Sequence, residues 1–241
     1  MERKAVNMVK MTTAMLAFKL IIYSVISLCF MGGLLFVPAG TFDWWRAWVL
    51  IGVIAVGSAL TVFKLFPNHK DLIRERLKSP IQKGQPIADK IIVFLLLLIY
   101  YGMFVFISFD VFRLHLINSP SPVVSFAGLI LLATGWKIAY LALRENAFAA
   151  LAVRIQKERR QIVIDSGVYG VVRHPMYAGA ILFFLGIPLW LESYAAAILA
   201  VSLIFLLMLR ITIEEKYLRR ELTGYDAYTN KVRYRLIPYI W

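Results

Sequence analysis

The chain has 241 residues, 61% of them hydrophobic and only 17% charged, with a formal net charge of +13. A water-soluble domain is nearer half apolar and a quarter charged, so this composition excludes a single solvated core and points to helices in lipid. The lone cysteine, Cys29, excludes an internal disulfide framework or a cysteine-based metal site.

The opening MERKAVNMVK precedes an apolar run at 20–37. That run is longer than a signal-peptide core and no A-x-A site follows it, so it is expected to remain as a first span. Further apolar segments follow at 47–63, 91–109, 123–142, 176–190 and 194–213. Most approach the ~20 residues that cross ~30 Å of hydrocarbon. Backbone polar groups in lipid need partners within the segment, so the expected fold is all-α. Specifically, it is a polytopic bundle of about six transmembrane helices.

Of the 27 lysines and arginines, 24 fall in the N-terminal stretch and in 64–90, 144–173 and 210–241. The opposite loops hold only Arg46 and Arg113, and Lys137 lies within a span. The positive-inside rule then puts both termini in the cytosol and explains the charge without nucleic acid. Trp44, Trp45, Trp48, Trp190 and Tyr194 stand where interfacial aromatics are expected. Between 67 and 90, HKDLIRERL reads as an amphipathic helix lying on the membrane. Residues 153–164 read as a short hairpin or an extended arm, followed by a turn at Asp165-Ser166-Gly167.

The polar stretch SGVYGVVRHPMYAG, residues 166–179, interrupts this greasy pattern. Pro175 suits the first turn of a helix, and the free amides there favour an anion. Arg173 adds a bidentate donor for a carboxylate or phosphate. His174 and Tyr177, three apart, face one way, and Gly179 permits close approach. The tight turn at 191–193 returns the chain so that Tyr177 and Glu214 lie on the same side of the membrane. Glu214 and Glu215 close the last span at the negative end of its dipole, so they need compensation. Arg210 and Arg219 are the local options; a cationic ligand is the functional one. Spacing does not choose between the two glutamates. In the tail, Tyr225 and Tyr228 stand among arginines and could wall a flat aromatic ligand. The three histidines are scattered, so no metal site is expected.

Taken in order, VRIQ at 153–156, Gly167 to Tyr169, Arg173 to Gly179, Arg210 with Glu214 and Glu215, Gly224 to Tyr228 and Val232 to Pro238 resemble the C-terminal core of the isoprenylcysteine carboxyl methyltransferase family. Phospholipid N-methyltransferases share the general pattern. The resemblance covers about the last third of the chain. It divides it into variable N-terminal helices, 1–145, and a methyltransferase core, 146–241. It departs from the pattern at Val168, where proline is frequent, and at Gly170.

The resemblance implies an integral membrane methyltransferase using S-adenosylmethionine at the cytosolic face. Carried over, Arg173, His174, Pro175, Tyr177, Gly179, Glu214 and Glu215 are its cofactor residues. Arg173, Glu214 and Glu215 are its catalytic residues, and Tyr225 and Tyr228 lie toward the substrate. The chemistry agrees: Arg173 and the helix start suit the cofactor's carboxylate, a glutamate its ammonium or sulfonium, and tyrosines its adenine. The expected acceptor is lipid-like, first a carboxylate such as a prenylcysteine-type acid, with a phospholipid amine as the alternative. The competing classes are an NADPH-dependent membrane reductase and a non-enzymatic scaffold or transporter. A transporter would show paired broken helices and polar mid-span residues, which are sparse here.

Overall fold

The computed structural model describes residues 12–241, all helix, turn and loop with no strand among them. The basic N-terminal stretch read from the sequence lies largely outside the described residues. The chain runs through α1 (Thr13–Ala39), α2 (Trp45–Leu65), the short α3 (Lys70–Arg76), α4 (Ile87–Phe109), α5 (Pro122–Glu145), α6 (Pro175–Trp190), α7 (Tyr194–Glu221) and α8 (Tyr225–Lys231). Five of these are long and apolar enough to cross a membrane: α1, α2, α4 with its extension to Leu114, α5 and α7. The sixth apolar segment, α6, has only 16 residues, about 24 Å of helix.

Local chemistry sets the ends. Thr12, Ser121 and Ser193 cap α1, α5 and α7 by accepting from the amides of Met15, Val124 and Ala196. Pro122 and Pro175 occupy the first turns of α5 and α6, where no intrahelical donor is lost. Gly40 and Gly224, at φ +73° and +87°, take the left-handed conformation that lets the chain leave α1 and enter α8.

The core runs along the bundle through Leu35, Leu50, Phe104, Ile107, Leu132 and Leu203. Large apolar side chains such as Phe63, Phe94, Val123 and Phe205 face outward. In water, so much exposed apolar surface would drive association; in lipid it is the expected outer face.

At the end away from α3 and α8, Arg46 ties the start of α2 to the α6–α7 turn. It pairs with Glu192 at 2.9 Å and lies over the Trp45 and Trp190 rings. Trp190 Nε1 donates to the Arg46 carbonyl at 2.8 Å. The buried Asp110 accepts from the Ser193 hydroxyl at 2.6 Å. Of the tryptophans expected at the interface, Trp44 and Trp190 are therefore core residues, each held by an aromatic neighbour.

Helices α5 and α6 pack antiparallel through matched glycines. A Cβ on Gly135 would come within 2.6 Å of the Gly179 carbonyl oxygen, and one on Gly179 within 2.8 Å of the Gly135 oxygen. Seven residues away, Gly128 and Gly186 repeat the arrangement, with Gly186 2.7 Å from the Gly128 oxygen on the same construction. Small residues at such seams let backbones touch where lipid provides no hydrophobic drive between helices.

The stretch read as HKDLIRERL is helical over Lys70–Arg76, but it does not simply lie on the bilayer. Leu72 and Ile73 are buried with Leu16, Leu65, Leu143 and Ala149, and Glu75 is buried beside Arg154. It is a plug at the ends of α1, α2 and α5.

Candidate active site

The cleft lies between three pieces: residues 146–164, the start of α6, and the end of α7 with α8. Residues 146–164 form an extended arm with one 3-10 turn at Lys157–Arg159, not a hairpin. Without a strand partner, its backbone groups must be answered otherwise, and side chains from the bundle do so. Arg76 donates to the Ala149 carbonyl at 3.1 Å and Arg210 to the Leu151 carbonyl at 2.5 Å. The Val153 amide donates to Asp89 at 3.4 Å. Within the arm, Gln156 Nε2 donates to the Phe148 carbonyl at 2.8 Å. Arg154 pairs with Glu75 at 2.9 Å and Glu158 at 2.8 Å, and the latter contact holds the Glu158 carboxyl below the usual range.

Asp89 is a further residue of the site, one absent from the sequence expectations. It is fully buried at the start of α4. It accepts from Arg210 Nε at 2.9 Å and from Gln85 and Val153. Its signal was available: a carboxylate in the first turn of an apolar helix needs a named partner. The Arg210 guanidinium also lies 5.7 Å over the Tyr177 ring.

The two adjacent glutamates have separate environments. Glu215 is buried in an ionic knot: its Oε1 accepts from Arg173 Nε at 2.6 Å and lies 3.1 Å from His174 Nε2, and its Oε2 accepts from Arg235 Nε at 3.0 Å. An ionised carboxylate only accepts, so His174 carries its hydrogen on Nε2. Arg173 Nη1 donates to the carbonyls of Val232 and Arg233 at 2.7 and 2.8 Å. The backbone amides of Arg173 and His174 donate to the carbonyls of Tyr234 and Arg235. The tail is thereby laid against the start of α6. Arg173 Nη2 has no hydrogen bond among the described residues, and Arg173 lines the cleft.

Glu214 is half-buried and faces the cleft. Its Oε2 accepts from the Tyr177 hydroxyl at 2.6 Å. Among the described residues it forms no ion pair, whereas its neighbour forms two with arginines and a hydrogen bond with His174. The anticipated Arg210–Glu214 and Arg219–Glu215 pairs do not form. Arg210 goes to the buried Asp89, which needs a cation more, and Arg219 goes to Asp226.

The other expected site residues divide likewise. His174 and Tyr177 line the cleft with rings nearly parallel, 9° apart and 5.5 Å between centroids. Pro175 is buried at the helix start, and Gly179 faces α5 rather than the cleft. Tyr225 and Tyr228 line the cleft wall and pack on Ile155 and Val163 of the arm. Tyr228 donates to the Tyr169 carbonyl at 2.8 Å. Burial pushes the Tyr169 phenol up to about 12 and raises those of Tyr225 and Tyr228 well above their ordinary value, so this wall stays neutral.

No curated protein matches the chain. Residues 123–223 match the family model for phospholipid methyltransferase, a stretch running from α5 through the arm and α6 to just past the end of α7. It contains Arg173, His174, Tyr177, Glu214 and Glu215, and it supports a membrane methyltransferase of the phospholipid and isoprenylcysteine methyltransferase kind.

Proposed function

We propose that the chain is an S-adenosylmethionine-dependent methyltransferase whose cleft opens at the cytosolic face and which acts on a lipid-like acceptor. A carboxylate such as a prenylcysteine-type acid is the acceptor we favour. Glu214 carries this reading. It is a half-buried carboxylate on the cleft wall, oriented by Tyr177 at 2.6 Å and paired with no cation among the described residues. An anion so placed favours a cationic ligand, and this cofactor brings an ammonium and a sulfonium.

The donor set fits the cofactor's remaining parts. Arg173 Nη2 is available for a carboxylate, and Tyr169, Tyr225 and Tyr228 offer a neutral aromatic wall for an adenine. Every residue lining the cleft falls between 146 and 228, which supports taking 146–241 as the methyltransferase core.

When bound, the cofactor supplies a methyl group made electrophilic by its sulfonium. The chain's residues do the rest by placement. Glu214, fixed by Tyr177, sets where the positive charge sits. Glu215 has no such freedom; it fixes Arg173 and His174 and so acts through them. The arm's buried residues Ala152 and Val153 exclude water from their side of the cleft, which strengthens each electrostatic contact there. A carboxylate acceptor arrives ionised, so no residue needs to take a proton and positioning dominates.

The phospholipid methyltransferase match favours a second acceptor class, the amine of a phospholipid headgroup. In that case Glu214 is the group placed to take the amine's proton. Methyl-labelled cofactor with a farnesylated cysteine acid or with phosphatidylethanolamine separates the two. An ester releases its label as methanol in alkali, whereas an N-methyl group keeps it. Calorimetry with S-adenosylhomocysteine and with NADPH tests the cofactor itself; binding of NADPH alone, or of neither, overturns the proposal.

A further inference from the structure

Away from the cleft, α2 and α5 diverge and leave a groove on the outer face of the bundle. It shares none of its lining residues with the cleft. Trp136 makes its floor: the indole lies where a Cβ on Gly57 would come within 2.7 Å, and its Nε1 donates to the Thr61 hydroxyl at 2.9 Å. Beyond it, Gly52 meets nothing within 4 Å of a built Cβ, so the groove continues open along α2 between Val53, Val56 and Ala133. Almost all of this lining is apolar.

Its inner end differs. Lys64 and Lys137 both line the groove there, and both are exposed. Lys64 lies 5.4 Å over the Tyr140 ring. Neither lysine forms an ion pair among the described residues, whereas Glu75, Glu215 and Asp89 at this end of the bundle pair with other cations. Lys137 stands one helical turn below Tyr140 on α5, and Lys64 is near the end of α2. Two cations at the mouth of a greasy slot present one anionic headgroup with two donors and its chain with an apolar bed. The distance also suits such a molecule. From Lys64 back to Gly52 is about 18 Å of helix, against a leaflet depth of about 15 Å, half of a ~30 Å hydrocarbon core.

We propose that the α2–α5 groove is a binding site for one anionic phospholipid of the cytosolic leaflet, its phosphate between Lys64 and Lys137 and an acyl chain lying over Trp136 toward Gly52. Basic pockets between helices on the cytosolic side are suited to anionic headgroups. The site is separate from the cleft, and its occupancy does not depend on what the cleft binds or methylates.

Native mass spectrometry of the full chain in detergent, offered equal phosphatidylglycerol and phosphatidylcholine, tests it without any turnover. The wild type is expected to retain one phosphatidylglycerol in preference. Each cation is expected to contribute about fivefold, so Lys64→Gln with Lys137→Gln should weaken that retention roughly thirtyfold and abolish the preference. Gly52→Leu, which fills the slot and leaves both charges, should weaken retention of either lipid. Equal retention of the two lipids by the wild type overturns the proposal. So does an unchanged preference in the double lysine variant, or unchanged retention in a folded Gly52→Leu variant.

Discussion

Arg210 Nε and Asp89 Oδ1 are 2.9 Å apart, joining the last span to the first turn of α4 across 121 residues of chain. The same guanidinium donates to the Leu151 carbonyl, and the same carboxylate accepts from the Val153 amide. One ion pair thus holds the arm that walls the cleft. Removing one partner of a buried pair leaves an uncompensated charge, at a cost of about 3–5 kcal/mol. Asp89→Ala is expected to lower the Tm in detergent and to speed tryptic cutting of the arm at Lys157 to Arg160. Asp71→Ala removes only the exposed contact to Arg74 and is expected to cost less than about 1 kcal/mol. Equal melting of the two variants would show that Asp89 does not hold the arm.

The two glutamates should separate by assay. Glu214→Gln keeps the shape and the Tyr177 contact but removes the charge facing the cleft. It is expected to weaken S-adenosylhomocysteine binding at least tenfold, with the Tm unchanged. Glu215→Gln strands Arg173, His174 and Arg235 around a neutral amide and is expected to lower the Tm sharply, with affinity falling as a consequence. The reverse pattern, an unaffected melt for Glu215→Gln and unchanged affinity for Glu214→Gln, would exchange their roles.

Tyr177→Phe deletes one hydroxyl, the donor that fixes Glu214. A hydrogen bond to a charged carboxylate is worth about 1.5 kcal/mol or more, so cofactor affinity should fall roughly tenfold in calorimetry. Tyr228→Phe instead leaves the Tyr169 carbonyl unanswered. Its expected signature is about 1 kcal/mol of lost stability with little change in affinity.

The glycine seam is testable with its own control. Leucine at Gly135 or Gly179 would meet the partner backbone below 3 Å, which neither helix can relieve without moving, and a loss of more than about 2 kcal/mol is expected. Gly33, where a Cβ meets nothing within 4 Å, should accept alanine without loss. Thermal melts that rank the seam variants with Gly33→Ala would mean that α5 and α6 are not in contact as described.

Much of this was legible in the sequence because lipid enforces it. Apolar length gives the spans, Pro175 marks the α6 start, and Gly224 breaks the tail after α7. The pairing of Arg173 to Tyr177 with Glu214 and Glu215 follows from a single tight turn. What could not be read depends on distant partners. Successive helix residues point about 100° apart, so the division of labour between Glu214 and Glu215 is set by where α6 and the tail lie, and the tail is placed by amides at Arg173 and His174. Arg210 has Glu214 four residues away, yet it pairs with Asp89, because a fully buried carboxylate gains more from a cation than a half-exposed one. The arm resisted reading for the same reason: its backbone is answered by Arg76, Arg210 and Asp89 rather than by a neighbour in sequence.

The 16 residues of α6 fall short of a bilayer core by several ångströms, so hydrophobic matching alone cannot fix how deep that helix sits. Its depth is inherited. Gly179 against Gly135 and Gly186 against Gly128 seat it at two shoulders on α5, and α5 is long enough to be levelled by the membrane. A thicker or thinner bilayer therefore rides up or down the outside of the protein, while His174 and Tyr177 keep a constant height on α5.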